Sequence, residues 1–195
     1  MFTGIIAAVG RITRITPTAG GQRLAIDAGG LDMADVAIGD SIAVNGVCLT
    51  AVVKSASGFE ADVSAETLRV TTGLAAPAEV NLEKSLRLAD RLGGHLVSGH
   101  VDGVGEVLRF DALGDNRLLA IRAPKDIARY IARKGSVTVQ GVSLTVNAVA
   151  DADFEINLIP HTIAMTTLRN LLPGSPVNLE VDMIARYAER LGYRP

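Results

Sequence analysis

The chain has 195 residues, of which 48% are hydrophobic, and it contains 20 Gly but no Trp. Its formal net charge is -2 and it has no Lys- or Arg-rich run, so we expect no nucleic-acid partner. No stretch approaches the roughly 18 apolar residues of a membrane span, and the first residues lack the basic lead-in of a secretory signal. Because a single cysteine forms no internal disulfide, we expect a cytoplasmic protein in which Cys48 stays reduced.

Short stretches rich in Val, Ile and Thr follow one another along the chain, separated by Gly, Asn and Asp. In the first half they read GIIAAVGRI, RLAIDA, DSIAV, CLTAVV, FEADVS and EVNLE. Strands of this length and spacing predict a small closed β-barrel or a sandwich. The pair Asn45-Gly46 predicts a hairpin turn, because tight hairpin loops require positive φ.

Helical patterns are few. Residues 31–37 and 126–135 are compatible with short helices, the second ending in Lys134 and Gly135. The chain closes with DMIARYAERL, which predicts a helix with one apolar stripe. The stripe is a candidate oligomer contact, and the alternative is that it packs on its own barrel. It consists of Met183, Ile184, Tyr187, Ala188 and Leu191.

The two halves of the chain repeat one another. A shift of 95 residues lays NGVCLT, starting at Asn45, over QGVSLT, starting at Gln140, and lays GIIAAVGRI over GHVDGVGEV. After Thr72 the shift grows to 97, which matches VNLE at Val80 with VNLE at Val177. We therefore predict two domains, residues 1–95 and 96–182, followed by a C-terminal helix and tail, residues 183–195. Two copies of one fold predict two copies of one ligand socket.

Positions at which the copies differ are candidates for unequal chemistry. Cys48 is matched by Ser143, and both are small groups that can act as nucleophiles or hydrogen-bond partners. The alternative for Cys48 is a buried apolar residue. His100 is matched by Ile5, so the shared fold does not require an imidazole there, and a histidine can move protons near neutral pH. The alternative is a surface histidine.

Other polar residues suggest a neutral lining for the sockets. Thr50 and Thr145, Thr67 and Thr162 are matched pairs, although Thr is also an ordinary strand residue. Such a lining suits a flat heterocycle that carries a polyol, and the chain has no glycine-rich phosphate-binding motif. His95, in the connector, is interpreted as structural. One Cys and three scattered His offer no metal-ligand spacing, so we assign no metal.

Several motifs are specific enough to indicate a family: MFTGI, NGVCLT, SAETL, GGHLVSGHVDG, GVSLTV, LIPHT and VNLEVD. Over essentially its whole length the chain resembles riboflavin synthases of the type made of two lumazine-binding repeats. The resemblance implies an all-β fold of tandem six-stranded Greek-key barrels, short helices and a C-terminal helix through which three chains associate. It implies that two molecules of 6,7-dimethyl-8-ribityllumazine yield riboflavin and 5-amino-6-(D-ribitylamino)uracil by four-carbon transfer, with no cofactor.

The resemblance also implies roles for individual residues. Cys48, His100, Ser41 and Asp182 match positions associated with catalysis. The resemblance implies two sockets, one for each repeat, and an active site between the first barrel of one chain and the second barrel of a neighbour. The first socket would comprise Gly4, Ile5, Ile6, Cys48, Leu49, Thr50, Asp62, Val63, Ser64, Ala65, Glu66 and Thr67, and the second Gly99, His100, Val101, Lys134, Ser143, Leu144, Thr145, Asn157, Leu158, Ile159, Pro160, His161 and Thr162.

Two other functions compete with this enzyme. The first is a non-catalytic lumazine or flavin carrier built on the same repeats, which would not need Cys48 and His100 together. The second is a duplicated barrel that serves as an interaction scaffold and has no affinity for the heterocycle.

Overall fold

A computed structural model describes residues 1–192, and these residues form two closed antiparallel β-barrels of six strands each. This confirms the predicted all-β fold with a tandem duplication. Both barrels lie within the predicted domain boundaries. The strands of the first are β1 Ala8–Thr18, β2 Gly21–Asp27, β3 Ser41–Val44, β4 Val47–Lys54, β5 Gly58–Ser64 and β6 Glu79–Lys84; those of the second are β7 Gly103–Leu113, β8 Asn116–Arg122, β9 Ser136–Val139, β10 Val142–Ala150, β11 Asp153–Leu158 and β12 Pro176–Val181.

Strand order is the same in the two barrels. The first closes as β1-β2-β5-β4-β3-β6 and the second as β7-β8-β11-β10-β9-β12. Even the irregularities repeat: the register shifts between Ile12 and Arg14 in β1 and between Val107 and Arg109 in β7. A second matched shift occurs in β4 and β10. Since bulges bend strands where a small barrel must turn, the duplicated sequence encodes one barrel geometry twice.

Each barrel has its own apolar core. Alternate residues of every strand point inward, and Phe59 in the first core is matched by Phe154 in the second, both nearly fully buried. The core of each barrel is built mainly from Ile, Val, Leu and Ala, as expected for a chain without Trp. Separate cores allow the two barrels to diverge on their surfaces while they keep one shape.

Helices are short, and one prediction is wrong. They are α1 Ala65–Val70, α2 Lys125–Ala128, α3 Pro160–Met165 and α4 Met183–Gly192, with a 3-10 helix at Thr167–Asn170. Residues 31–37 form turns, because the Asp32 carboxylate accepts a hydrogen bond from Ala34 N at 2.9 Å and that of Asp40 accepts one from Ala37 N. The predicted helix at 126–135 shortens to α2, since Tyr130 N and Ile131 N donate three residues back, to Ile127 and Ala128.

The C-terminal helix is confirmed as α4, and residues 193–195 of the predicted C-terminal unit lie outside the described residues. Its polar side holds the helix to the second barrel. Glu189 accepts a hydrogen bond from the Tyr130 hydroxyl, and its Oε1 lies 2.7 Å from Arg129 Nη2. Its apolar stripe points away, with Ile184 69% and Leu191 84% exposed. In the described part of the chain, no helix is both long and apolar enough to span a membrane.

The two barrels meet at their hairpin turns. Asn45-Gly46, between β3 and β4, and Gln140-Gly141, between β9 and β10, all have positive φ, which confirms the predicted turn. The turns lie back to back, so that a Cβ on Gly46 would be 2.8 Å from Gly141 N and a Cβ on Gly141 2.7 Å from Gly46 N.

Asparagine side chains complete this contact. Asn81 Nδ2 donates to Gln140 O at 2.8 Å, and Asn178 Nδ2 donates to Asn45 O at 3.0 Å. The contact therefore has approximate two-fold symmetry, and it is satisfied by hydrogen bonds on both sides.

Candidate active site

Two segments that precede the barrels organise the candidate site. We call residues 2–6 the first strap and residues 97–101 the second strap. The straps pair where Phe2 N donates to Val97 O at 2.7 Å and Val97 N donates to Phe2 O at 3.1 Å. The two straps therefore meet at an antiparallel bridge between their first residues.

Each strap lies against the other barrel. Gly99 O accepts a hydrogen bond from Cys48 N at 2.8 Å, and Gly4 O accepts one from Ser143 N at 2.8 Å. Both glycines have positive φ, +75° for Gly4 and +78° for Gly99. A Cβ on Gly4 would be 2.5 Å from Ser143 Cβ, and one on Gly99 would be 2.7 Å from Cys48 Cβ. Only glycine therefore permits the straps to approach the two mismatched residues this closely.

The ends of the straps cross over in the same way. Ile6 packs against the core of the second barrel, and Val101 packs against the core of the first. This corrects the grouping by repeat: residues 4–6 belong with Ser143–Thr145, and residues 99–101 belong with Cys48–Thr50. Because the straps are related by the 95-residue shift, the sequence pattern alone is the same for either assignment.

Two buried carboxylates hold the straps. Glu83 accepts hydrogen bonds from Thr3 N at 2.7 Å and from Gly4 N at 3.0 Å. Glu180, its counterpart in the second VNLE, accepts bonds from Gly99 N at 2.9 Å and His100 N at 3.0 Å. Burial raises the pKa of Glu83, against the hydrogen bonds from Thr3, which lower it. These two residues were missed by the sequence analysis, although their exact repetition was a usable signal.

Cys48 and Ser143 lie in different surroundings. Cys48 is the second residue of β4 and is partly buried. It packs against a small apolar cluster of Phe2, Ala43 and Val97. Ser143 lies at the same point of β10, where its Oγ is 2.7 Å from His95 Nδ1. The predicted mismatch in chemistry is therefore accompanied by a mismatch in environment.

The other candidate catalytic residues lie around the straps. Ser41 begins β3, pairs with Thr50, and lines a cavity of about 290 Å³ together with Glu83. His100 is exposed on the second strap. Asp182 precedes α4 and accepts a hydrogen bond from Ile184 N at 3.0 Å.

Arg186 connects α4 to the second strap. Its Nη2 donates to His100 O at 3.2 Å and lies 2.7 Å from Asp102 Oδ1. Asp102 in turn accepts a hydrogen bond from Val181 N at 2.8 Å, at the end of β12. The start of the C-terminal helix and the strap that carries His100 are thus tied together, a link that the sequence did not reveal.

We call residues 62–67 the first rim and residues 157–162 the second rim. Each consists of the end of a strand, β5 or β11, and the start of the helix that follows it. Ser64 caps α1 by accepting a hydrogen bond from Thr67 N at 3.1 Å. Helix α3 begins with Pro160, and Ile159 at its N-cap position makes no side-chain hydrogen bond to the helix. In the first rim Arg23 binds Asp62 through two contacts of 2.7 Å and holds the pKa of Asp62 below its usual value. Asn157 replaces this aspartate in the second rim.

A side-chain amide oxygen at or next to each rim lacks a hydrogen-bond donor in the described part of the chain. The Oε1 atom of Gln22, which pairs with Val63, and the Oδ1 atom of Asn157 are buried without a hydrogen-bond partner among residues 1–192. A buried, unsatisfied acceptor is costly, and a ligand N–H or O–H group would relieve it. Gln22 was not among the predicted binding residues.

The remaining predicted positions fall into two groups. Some side chains belong to the barrel cores, so that only their backbone is available to a ligand: Leu49, Val63, Leu144 and Leu158. Others are exposed at the rims or nearby: Ile5, Thr50, Ala65, Glu66, Lys134, Thr145, Pro160 and His161. Glu66 is paired with Arg69 at 2.6 Å, and Lys134 has a φ of +67°, in a turn where the first copy has Gly39.

The chain is a duplicated β-barrel protein, whose two six-stranded barrels share one strand order and carry matched strap glycines. The family model described as the lumazine binding domain matches residues 3–85 and again residues 98–182. Each match spans one barrel together with the strap that precedes it in sequence.

Similar proteins of known activity narrow this class of protein to one family. A riboflavin synthase from Photobacterium phosphoreum is 49% identical over 193 residues, which are 98% of this chain and 88% of that protein. Riboflavin synthases from Brucella abortus and Mycobacterium tuberculosis are 43% and 46% identical, each with 98% of both chains covered. The chain belongs to the riboflavin synthase family.

Solved structures of LumP are similar as well. LumP complexed with 6,7-dimethyl-8-(1'-D-ribityl) lumazine has a TM-score of 0.82 and 28% identity, covering 93% of this chain and 99% of that chain. LumP complexed with riboflavin has a TM-score of 0.83 and 30% identity with the same coverage.

Proposed function

We propose that this protein is a riboflavin synthase, which converts two molecules of 6,7-dimethyl-8-ribityllumazine into riboflavin and 5-amino-6-(D-ribitylamino)uracil. One molecule gives a four-carbon unit and an identical molecule takes it. The observation that carries the proposal is the pair of matched glycine contacts, Gly99 on Cys48 and Gly4 on Ser143. They create two equivalent places whose reactive side chains differ, as a reaction between two identical rings requires.

The binding groups fit such a ligand. The unsatisfied oxygens of Gln22 and Asn157 are acceptors for the N–H groups of a pyrimidine ring or the hydroxyls of a ribityl chain. Thr67 and Thr162, at the two rims, supply further neutral partners. We propose that the first socket uses Cys48–Thr50, residues 62–67 and the second strap, and that the second socket uses Ser143–Thr145, residues 157–162 and the first strap.

We assign the chemistry to residues around the straps. In the proposal, His100, or a water that it holds, removes a proton from the C7 methyl group of one lumazine. Cys48, or a water beside it, adds to the ring of the other lumazine. Ser41 and Asp182 orient these groups. The rate also depends on holding two large rings at reacting distance, which converts an encounter between two molecules into a step within one complex.

A complete active site would form between chains. The exposed apolar stripe of α4 includes Ile184 at 69% and Tyr187 at 66% exposure, which are unusual values for large apolar side chains on adjacent turns of one helix. We propose that three chains associate through this stripe, so that the first barrel of one chain faces the second barrel of its neighbour. Ile184→Glu should then lower the mass measured by light scattering and reduce activity together.

The free thiol of Cys48 fits a reducing, cytoplasmic location.

The decisive experiment mixes purified protein with the lumazine alone, with and without a chelator, and follows riboflavin by its absorbance. We expect turnover in both samples. In the same assay, Cys48→Ala should lower kcat by about 10- to 100-fold and change lumazine affinity little. An equal loss in kcat and affinity would argue that the thiol is only structural.

A lumazine or flavin carrier is the second candidate, and the likeness to LumP bound to these compounds favours it. A carrier would give a stable complex with the lumazine and no new flavin. The scaffold alternative predicts no binding at all, which equilibrium titration with riboflavin would reveal.

A further inference from the structure

His95 is the histidine that the sequence analysis interpreted as structural, and the structure places it against a candidate site residue. It is 8% exposed, with Nδ1 at 2.7 Å from Ser143 Oγ and Nε2 at 3.4 Å from Thr138 Oγ1. Its backbone N donates to Thr3 O at 3.2 Å. A Cβ on the preceding Gly94 would be 2.9 Å from Ser143 Oγ, so the connector is pressed against this hydroxyl.

The corresponding place in the first repeat is apolar. The 95-residue shift matches Ser143 with Cys48 and Thr138 with Ala43. Cys48 and Ala43 pack against the ring of Phe2, whereas Ser143 and Thr138 face the ring of His95. Three apolar or weakly polar residues in the first repeat thus correspond to three hydrogen-bonded residues in the second repeat. One of the hydrogen-bonded residues, Ser143, is a predicted socket residue. Packing requirements alone would be met equally well by apolar residues in both places.

The surroundings of His95 keep the imidazole neutral. Burial lowers the pKa of His95, and the negative charge of Asp182 opposes this effect without cancelling it. In a neutral ring, one nitrogen donates and the other accepts. If Thr138 donates to Nε2, then Nδ1–H donates to Ser143 and leaves the serine proton free for a ligand. In the other tautomer Ser143 donates to Nδ1, and its oxygen is free to accept from the ligand.

We propose that His95 is a positioning residue that sets, and can reverse, the hydrogen-bond direction of the Ser143 hydroxyl toward the ligand in the second socket. This inference rests on the proposed riboflavin synthase function and deepens it. Two identical rings react in opposite senses only if their sockets differ, and a hydroxyl that can donate or accept suits a ring whose proton content changes during the reaction. The matched thiol of Cys48, packed against a phenyl ring, has no comparable control over its orientation among the described residues.

The test compares His95→Leu, which removes both hydrogen bonds, with His95→Asn, whose amide can still reach Ser143. We expect His95→Leu to lower kcat by about 10- to 100-fold, at or below the low end of the range for groups that assist proton transfer, with KM within about threefold of the wild type. His95→Asn should recover part of this loss, because it keeps a partner for Ser143 but has no tautomer to switch. Val139→Ala, one residue after Thr138 and in the barrel core, is the packing control. It should lower the melting temperature and leave kcat unchanged.

A double variant separates positioning from packing. If His95 acts through Ser143, the kcat of His95→Leu with Ser143→Ala should equal that of Ser143→Ala alone. Multiplied losses would overturn the proposal, as would an unchanged kcat in His95→Leu. Should His95→Leu not fold, then His95→Asn and Thr138→Val replace it, and a wild-type kcat in both would equally overturn the proposal.

The same assays distinguish this inference from the function beneath it. A wild-type protein that binds lumazine and forms no flavin contradicts the riboflavin synthase proposal, and with it any role of His95 in turnover. A wild-type protein that forms flavin while the His95 variants remain fully active contradicts the role of His95 alone.

Discussion

The Cys48 and Ser143 sides of the molecule have matching backbone contacts and different side-chain surroundings. Each has a strap glycine with positive φ, an amide-to-carbonyl contact of 2.8 Å and a buried glutamate behind the strap. One side then places a thiol against Phe2, and the other places a hydroxyl against His95. The comparison shows that the two repeats share the backbone contacts that set distances and differ in the side chains to which the proposal assigns the chemistry.

The largest expected effect comes from breaking the shared geometry. Gly99→Ala should destabilise the fold by about 2–4 kcal/mol, because the new Cβ meets both Cys48 and the Phe2 ring and because alanine disfavours positive φ. Gly4→Ala should behave alike on the other side. Urea unfolding measures both. Gly20→Ala is the matched control, since its Cβ would have no neighbour within 4 Å, and a comparable loss there would refute this explanation.

The glutamate behind the first strap should give a pH-dependent effect. Because the pKa of Glu83 is raised in the folded protein, its folded form holds a proton more tightly than its unfolded form. Its contribution to stability is therefore full below the ordinary carboxyl range and is lost as the pH rises through the raised value. Glu83→Gln should remove this slope and should cost about 1–3 kcal/mol, since an amide NH₂ would face a backbone donor.

Unfolding free energies measured from acid to neutral pH would reveal the slope. Glu180→Gln is the matched variant on the other strap. If the wild type and Glu83→Gln show parallel curves, the carboxylate is not the source of the slope.

Exchanging the two reactive side chains sharpens the comparison further. Cys48→Ser should lower kcat by about 10-fold, and adding Ser143→Cys should not restore it, because each side chain depends on its neighbours. The measurement is steady-state conversion of the lumazine, with melting temperatures as the control for folding. Recovery in the double variant would mean that a thiol and a hydroxyl suffice in either order.

The smallest effect is expected at the rims. Arg23→Leu with Asp62→Asn gives the first rim the residues of the second, Leu118 and Asn157. Since this ion pair is exposed, the melting temperature should hardly change. The KM for the lumazine should shift by about two- to threefold, because the charge on the rim changes. A large loss of stability would indicate that the pair has a structural role.

Much of the fold could be predicted because local and global signals agree. Alternating Val, Ile and Thr specify the strands. Asn45-Gly46 specifies a hairpin turn, because both residues tolerate the positive φ that such a turn requires. The helix predicted at residues 31–37 is wrong because the nearby carboxylates of Asp32 and Asp40 hold the backbone in turns. Lys54, which is distant in sequence, supports these turns through a hydrogen bond from Nζ to Val36 O.

The site was only partly predictable. The mismatched pair of Cys48 and Ser143 was visible in the repeat, and the structure places both residues at the straps. The crossing of the straps was not visible, since a two-fold arrangement gives the same sequence pattern whether a strap contacts its own barrel or the other. His95 contacts Ser143, 48 residues away, and Arg186 contacts His100, 86 residues away. No local sequence pattern indicates contacts between residues so far apart.

The back-to-back contact of Gly46 with Gly141 is self-complementary, as the isologous interface of a symmetric homodimer must be. In such a dimer of single-repeat chains, any mutation would enter both subunits at once, so both would carry a thiol at this position or both a hydroxyl. A covalent link between the two halves removes that constraint and keeps the self-complementary contact. The difference between Cys48 and Ser143 is thus possible because both halves lie on one chain.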